Sequence, residues 1–463
     1  MKKNAGITMV SLVVTIIVLL ILSSITIGAL FGDNGILTIA KKAKENTELA
    51  RIEEETSLND LYKQLGVEDG STSGGNTGGG SSSINSTGQG KILPTPSEWK
   101  RYEVDYVETE EGNIVQSSKQ VASVYAVSVG NGNIVPVPYG FYYVGGTLNS
   151  GVVISDNEAD KNKYLFADNV KIEDVPAGVA YNSDGTVNTS SSDLKGNQFV
   201  WIPCTLEEYK KVYIVGNGYT DAVTTTAEEA QIIKYGGFYI GRYEAGTSDI
   251  TFTNDSDFAA TSTAVNLRNS NFTASYVKNG KITCKAGEIP YYYADYATAV
   301  KMCRDMYSEN SSITSGLVTG TMWDAVMKFI TTDSTSYSDL KSTPWGNYNS
   351  NTGLEYTQGR GRYLAVNSTS GGAIISSAIV SDGSYHYGIR TTAFSESTKR
   401  KNMYDLAGNL WEWTQEVMSV NQNILRGGGF DGNSSNRPVS YRVFDYDTIT
   451  KMMYGFRPAL YIR

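Results

Sequence analysis

The chain has 463 residues, about three domains' worth, and its 40% hydrophobic and 19% charged content is that of a protein with a packed core rather than a disordered one. Lys and Arg number 39 against 48 Asp and Glu, a net charge of −9 with no basic block, which argues against nucleic acid as a partner. One histidine, His386, and three cysteines without a CxxC, Cys204, Cys284 and Cys303, exclude multi-histidine metal sites, a disulfide framework and a zinc ribbon.

The run from Ile7 to Phe31 carries no charge over 25 residues. At the helical rise it spans about 37 Å, enough to cross a bilayer. Lys2 and Lys3 precede it and fix that end in the cytoplasm, so the rest of the chain is expected outside, behind a single span. A removed signal peptide fits less well, because the run is long and has no A-x-A-like exit. The segment MKKNAG followed by ITMVSLVVTIIVLLILSSITI resembles the class III leader of type IV pilins and pseudopilins. The resemblance implies that a prepilin peptidase cuts between Gly6 and Ile7, and that the helix sits first in the membrane and then packs with other pilins in a pilus core. That family places Glu at the fifth mature position, where this chain has Ser11. This departure points away from a major filament subunit and leaves a minor pilin or a plain anchor.

After Gly32-Asp33-Asn34-Gly35, small and apolar residues at Ile36, Ala40, Ala43, Ala50, Leu58, Leu61 and Leu65 form a thin stripe on a polar helix, which reads as a stalk. Seventeen of the 21 residues from Gly70 to Gly90 are Gly, Ser or Thr. Such a coil has an end-to-end distance of about 25 Å and uncouples the anchor from the remainder of the chain. The expected organisation is a leader at 1–6, a transmembrane and stalk helix at 7–66, a linker at 67–92 and a globular domain at 93–463.

In the globular part short β-rich runs alternate with glycine turns: VASVYAVSVG, FYYVGG, GVVISD, NQFVWIPC and GGFYIGRYEAG. Two stretches read as helices, Tyr296–Tyr307 and Gly320–Ile330; in the second, Met322, Trp323, Val326, Met327 and Ile330 make one apolar face. The pattern is α+β with a small sheet and much irregular structure. Three later segments stand out: YDLAGNLWEWT (Tyr404–Thr414), LRGGGF (Leu425–Phe430) and GFRPALYI (Gly455–Ile462). In an extended segment Trp411 and Trp413 face one way and Glu412 the other. Gly427-Gly428-Gly429 supplies backbone freedom. Arg457, between Phe456 and Pro458, reads as half of a buried ion pair.

Taken in order with FVWIPC and GGFYIGRYEAG, these segments resemble the formylglycine-generating enzyme (sulfatase-modifying factor) family. The resemblance covers roughly Gln198 to Arg463, with a less specific match from Pro94 to Lys195. It implies a C-type lectin-like fold. The enzymes of that family carry copper-binding thiols in the segment before the GFR motif. The corresponding stretch, Pro438 to Arg457, has no cysteine, and the residue after Arg442 is Val443. Copper and oxidase chemistry are therefore not expected, and the domain reads as no enzyme. Cys204 and Cys303 read as small core residues, and Cys284 is given no role. The resemblance further implies a structural Ca²⁺ held by the carboxylates of Asp405 and Glu412 and the carbonyls of Gly408 and Leu410.

The family's working surface maps onto Asp431–Tyr454. Asn433, Asn436, Tyr441, Asp445, Tyr446 and Tyr454 read there as exposed residues of a ligand face, tyrosine giving large contact area at small entropy cost. The same face is the variable surface of retroelement-diversified proteins that share this fold and these landmarks. The expected function is a surface-displayed protein that binds an extracellular protein or glycan without turnover. The alternatives are an enzyme acting through another site, or a minor pilin or pseudopilin.

Overall fold

The computed structural model describes residues 88–108, 114–165, 175–177, 194–214, 218–221, 224–247, 282–292, 294–331, 339–351, 362–366, 374–379, 388–451 and 453–463. Gly6, Ile7, the apolar run, the stalk, the linker up to residue 87 and His386 lie outside the described residues. The chain divides into two units, Met1–Ser82 and Ser83–Arg463, and every described residue belongs to the second. Among the described residues no helix is long and apolar enough to cross a membrane.

Ten strands frame the fold: β1 (Tyr142–Gly145), β2 (Val152–Ser155), β3 (Gln198–Pro203), β4 (Gly237–Gly241), β5 (Ile313–Leu317), β6 (Trp411–Ser419), β7 (Gln422–Arg426), β8 (Val443–Tyr446), β9 (Tyr454–Phe456) and β10 (Pro458–Ile462). Six of them pair antiparallel throughout in the order β5–β10–β4–β3–β2–β1. Alternate residues of these strands enter two different cores. Ile154, Phe199, Trp201, Tyr239 and Leu460 pack on one face of the sheet, and Val153, Val200, Ile202, Phe238, Ile240 and Ala459 on the other. Burial on both faces is why runs such as FVWI read as continuously apolar rather than alternating. The fold is mixed α and β, mostly strands, and its central sheet is larger than the small one expected from sequence.

Each face is covered by one of the helices the sequence predicts. Tyr296–Asp305 buries Ala299 and Cys303 in the first core, and Gly320–Ile330 buries Met322, Trp323, Val326, Met327 and Ile330 in the second. Both begin at N-caps whose side chains accept backbone N–H groups, Asp295 from Thr298 at 2.7 Å and Thr319 from Met322 at 3.1 Å. A further helix, Thr226–Tyr235, was not among the expected ones. In chain order the three are α1 (Thr226–Tyr235), α2 (Tyr296–Asp305) and α3 (Gly320–Ile330). α1 opens with a capping box between Thr225 and Glu228 and closes on Gly236 at φ 73°.

The less specific segment before Gln198 proves integral to the domain. β1 and β2 complete the central sheet, and the hairpin of Val124–Gly130 with Asn133–Pro138 buries Val127, Val129, Val135 and Val137 in the first core. A boundary at Gln198 would cut through the sheet.

The second sheet runs β8–β7–β6–β9, with β6 and β9 parallel and the other pairs antiparallel. β9 belongs to this sheet and β10 to the central one, so the chain changes sheets at Arg457.

All three cysteines are free and buried. For Cys284, left without a role by the sequence, the structure supplies one: its Sγ donates to the Gln198 carbonyl at 3.1 Å inside the first core. Burial pushes the Cys204 thiol up to about 12 and the Cys284 thiol up to about 11, and raises Cys303 as well. Native protein at pH 8, on the order of three units below those values, should therefore react negligibly with a disulfide reagent. The full count of thiols should appear only on unfolding, and a fast-reacting native thiol would contradict this packing.

Candidate functional site

Four ionisable groups meet behind the WEW strand. Arg457 donates through Nε and Nη2 to the two oxygens of Glu412 at 3.0 and 2.7 Å, and its remaining hydrogen bonds go to the carbonyls of Gly241, Tyr404 and Asp405. Both partners are buried, as the sequence reading of Arg457 expected. Glu244 lies beside them, accepting from Asn409 Nδ2 at 2.6 Å and from the Leu410 N–H at 3.1 Å. Asp405 accepts from the Ala393 N–H at 2.6 Å and from Thr398 Oγ1 at 2.8 Å. Three buried carboxyls thus share one guanidinium. Burial raises all three, most strongly for Glu244, where Asp405 and Glu412 add to the effect; Asp405 is pushed up to about 6.

The carboxylates expected to hold Ca²⁺ are engaged within the protein. A Ca²⁺ site needs carboxylate oxygens free to face the ion. Both oxygens of Glu412 are held by Arg457, and both oxygens of Asp405 are held by Ala393 and Thr398. The carboxylates of Asp405 and Glu412 therefore do not fit the ion: their oxygens are taken, and Arg457 already supplies the positive charge beside Glu412.

A second ionic cluster, not foreseen from sequence, fastens the RGG segment. Arg426, fully buried at the end of β7, donates to Asp324 of α3 at 2.7 Å and to Glu416 of β6 at 3.2 Å. Arg442 bridges the same two acids, reaching Glu416 through Nε at 2.6 Å and Asp324 through Nη2, while its Nη1 meets the Tyr213 carbonyl. Burial raises the Asp324 carboxyl against the pull of both arginines. The signal that could have found this cluster is the pair of charges in otherwise apolar runs, Asp324 within TMWDAVM and Arg426 after NIL. Beyond Arg426 the chain turns on Gly427 and Gly428, at φ 88° and 77°. A Cβ on Gly428 would lie 2.5 Å from the Tyr348 ring, so only glycine fits there.

The segment Asp431–Tyr454 rests on this base and on the two indoles of β6. Trp411 and Trp413 are both buried and point to one side of the strand, with Glu412 on the other, as the alternation predicts. Over Trp411 lie the Tyr441 ring, edge-on with centroids 6.2 Å apart, and the Arg437 guanidinium, 5.8 Å from the ring centre and 3.6 Å from Asp431. Over Trp413 lies the Tyr454 ring at 5.4 Å. Its hydroxyl donates to Asp445 at 2.6 Å, and Lys451 donates to the same carboxylate at 2.5 Å. Burial opposes charge on Asp445, but these bonds and the Tyr446 N–H outweigh it and hold the carboxyl below its ordinary range.

The six residues read as a ligand face therefore separate. Asn433, Asn436 and Tyr446 are exposed, Tyr441 and Asp445 are half-buried, and Tyr454 is buried. Tyr454 is a correction: its ring belongs to the core and its hydroxyl holds Asp445. Asn433 turns the loop, its Oδ1 accepting the Ser435 N–H at 2.9 Å. Phe444, which the sequence reading passed over, is 50% exposed beside Tyr446 on the edge strand β8.

No family model matches the chain, and no curated protein matches it. Among solved structures, Treponema denticola variable protein 1 is similar with 13% identity and a TM-score of 0.31, over 57% of this chain and 95% of that one. CarF is similar with 12% identity and a TM-score of 0.29, over 54% and 93%. PvdO from Pseudomonas aeruginosa is similar with 12% identity and a TM-score of 0.31, over 62% and 99%.

Proposed function

We propose that the chain is a displayed ligand-binding protein in which a C-type lectin-like, formylglycine-generating-enzyme-like domain works without catalysis, held at the cell membrane by a single pilin-like helix. One observation supports this best. The segment Asp431–Tyr454 presents Asn433, Asn436, Phe444 and Tyr446 outward while its base is fixed by the Arg426–Asp324–Arg442–Glu416 cluster and by Trp411 and Trp413. Polar and aromatic side chains on a rigid base lose little entropy when they meet a partner. No residue of the segment is a thiol, and Val443 occupies the position after Arg442, so the surface has recognition groups and no nucleophile of the family.

The ligand is an extracellular protein or glycan. A tolerant outer surface over a locked base also suits a variable protein diversified by a retroelement, which a template repeat and reverse transcriptase beside the gene would reveal.

The test substitutes the outward residues and spares the base. Asn436→Ala, Phe444→Ala and Tyr446→Ala combined should leave the unfolding midpoint unchanged. Binding to target cells, or to hits from a protein and glycan array, should weaken by about tenfold or more, since each central aromatic contact contributes on the order of 1–2 kcal/mol. A variant that binds every wild-type target equally would place recognition elsewhere. For the anchor, the expected mature amino terminus is Ile7, read by mass spectrometry of the membrane-extracted protein. An intact Met1, or a cut beyond Phe31, would remove the pilin-like leader.

A further inference from the structure

Among the described residues, the exposed large apolar side chains concentrate at one place, the tip of the β6–β7 hairpin and the edge strand β8 beside it. Val417 is 67% exposed, Met418 60% and Val420 86%, while Phe444 and Tyr446 of β8 are 50% and 56% exposed. The register makes one patch of the five. Tyr446 lies opposite Gln422 of β7, and Gln422 lies opposite Ser419 of β6, which stands between Met418 and Val420. Neighbouring strands are about 4.8 Å apart, so the patch is about 10 Å across the three strands. Together the five residues expose on the order of 600 Å², the upper end of the largest apolar patch on a typical monomer. The hairpin is fixed at its base and free at its tip. Gln415 Nε2 donates to the Leu317 carbonyl at 2.6 Å, Glu416 is held by Arg426 and Arg442 at 3.2 and 2.6 Å, and every residue of 417–421 is exposed.

We infer that the ligand face continues onto the β6–β7 hairpin, and that its partner there is a protein with an apolar surface rather than a glycan; this rests on the ligand face proposed above and names its partner. Val417, Met418, Val420 and Phe444 offer apolar area and no hydrogen-bonding side chain. The polar groups among them are engaged: Ser419 Oγ donates to Gln422 Oε1 at 2.5 Å, and Asp445 accepts from Tyr454, Lys451 and the Tyr446 N–H at 2.6, 2.5 and 2.9 Å. A glycan laid here would leave hydroxyls without partners, which costs free energy for each one desolvated. An apolar protein surface gains about 25 cal/mol for each Å² it buries. Met, Phe and Tyr are residues in which interface cores are enriched, and methionine adapts its shape to the partner. The rim argues against a bilayer as the occupant. Asp447, whose N–H donates to the Asn421 carbonyl at 3.0 Å, carries its carboxylate beside the hairpin turn and joins no ion pair among the described residues. Lys451 is already bound to Asp445. Sites that lie on anionic lipid carry unpaired Lys and Arg instead. The complement of this rim is a partner with a basic side chain beside its apolar surface.

The experiment pans a phage-displayed library of random peptides against the full chain in lipid nanodiscs, with empty nanodiscs removing lipid binders. The selected peptides are expected to carry clustered apolar residues with a Lys or Arg, and to bind with dissociation constants of about 1–100 μM. Met418→Ser with Val420→Ser lies outside Asp431–Tyr454 and at exposed positions, so the unfolding midpoint should hold while peptide binding weakens about tenfold or more. Asp447→Lys removes no apolar contact; it should weaken the basic peptides by about threefold, and it decides the matter if the serine pair lowers the midpoint. The triple variant of Asn436, Phe444 and Tyr446 tests the face itself. Binding lost in the triple variant but kept in the hairpin variant would overturn this inference and leave the ligand face standing. Binding kept by both would overturn both, and binding lost in the hairpin variant alone would separate the hairpin from the face and overturn their union. The inference also fails if no peptide is selected, or if glycan-array hits weaken in the hairpin variant. It fails equally if that variant abolishes association with vesicles of phosphatidylcholine and phosphatidylglycerol, or dissolves a dimer seen by sedimentation, since the occupant would then be a lipid surface or a second copy.

Discussion

Replacing Arg457 with alanine should leave the globular unit barely able to hold its fold at neutral pH. The substitution strips Glu412 of both its hydrogen bonds and leaves three carbonyls, of Gly241, Tyr404 and Asp405, without their donor. It also removes the guanidinium that opposes the charge on Glu244, Asp405 and Glu412. Removing one partner of a buried pair costs about 3–5 kcal/mol, against a total stability of about 5–15 kcal/mol. The expected urea midpoint, followed by tryptophan fluorescence of the full chain, falls by a third or more. The double variant Arg457→Leu with Glu412→Leu should recover part of the loss, because two apolar side chains leave no buried charge behind. An Arg457→Ala protein with the wild-type midpoint would mean that the cluster does not hold the two sheets together.

The same cluster gives stability an unusual pH dependence. Asp405 keeps its proton in the folded state up to about 6, whereas an unfolded aspartate loses it near 3.8. Burial is the main cause and Glu396 adds to it, while Arg457, Thr398 and the Ala393 N–H oppose it; Glu244 and Glu412 face the same guanidinium. A raised carboxyl binds a proton more tightly folded than unfolded. Its contribution is therefore complete below the unfolded value and is lost as pH rises through the folded one. The shift corresponds to about 3 kcal/mol, lost between about pH 4 and pH 6 and flat above. Asp445, held below its ordinary range, works in the opposite direction at lower pH. The melting temperature should accordingly be higher at about pH 5 than at about pH 7. Asp405→Asn, whose amide oxygen still accepts one of the two donors, should lessen that slope without removing it, since Glu244 and Glu412 are raised as well. A wild-type melting temperature that climbs steadily across the interval, or an unchanged slope in the variant, would contradict the assignment.

The legibility of this fold in its sequence depends on the range of the forces involved. The alternation of Trp411, Glu412 and Trp413 is a strand property two residues long, and it placed the indoles and the carboxylate correctly. Arg457 between Phe456 and Pro458 had to be paired if buried, and it is. α2 and α3 declared themselves by apolar periodicity. α1 did not, because Ile233 on it is 68% exposed and its buried residues include Glu228 and Gln231. Its surviving signal was local, the capping box of Thr225 and Glu228. The pairing of β10 with β5 and β4 joins residues far apart in sequence and leaves no local trace. Tyrosine misled in the same way: Tyr454 and Tyr446 are alike as residues, and only tertiary structure buries one under Lys451 and leaves the other in solvent. The partner that occupies Glu412 lies 45 residues away and left no local sign in the sequence.

The position of β10 has a consequence for the order in which the domain can form. This strand is the latest of the ten in sequence, yet it lies between β5 and β4. Until Pro458–Ile462 leaves the ribosome, β4 exposes one unpaired edge and β5 has no partner strand among the described residues. Such edges invite pairing with other chains, and closing a sheet over so long a stretch of sequence is slow. A nascent or truncated chain lacking these five residues is therefore the species most prone to aggregate and to be degraded. A chaperone that shields the edge of β4 would assist production of this protein more than one that stabilises its helices.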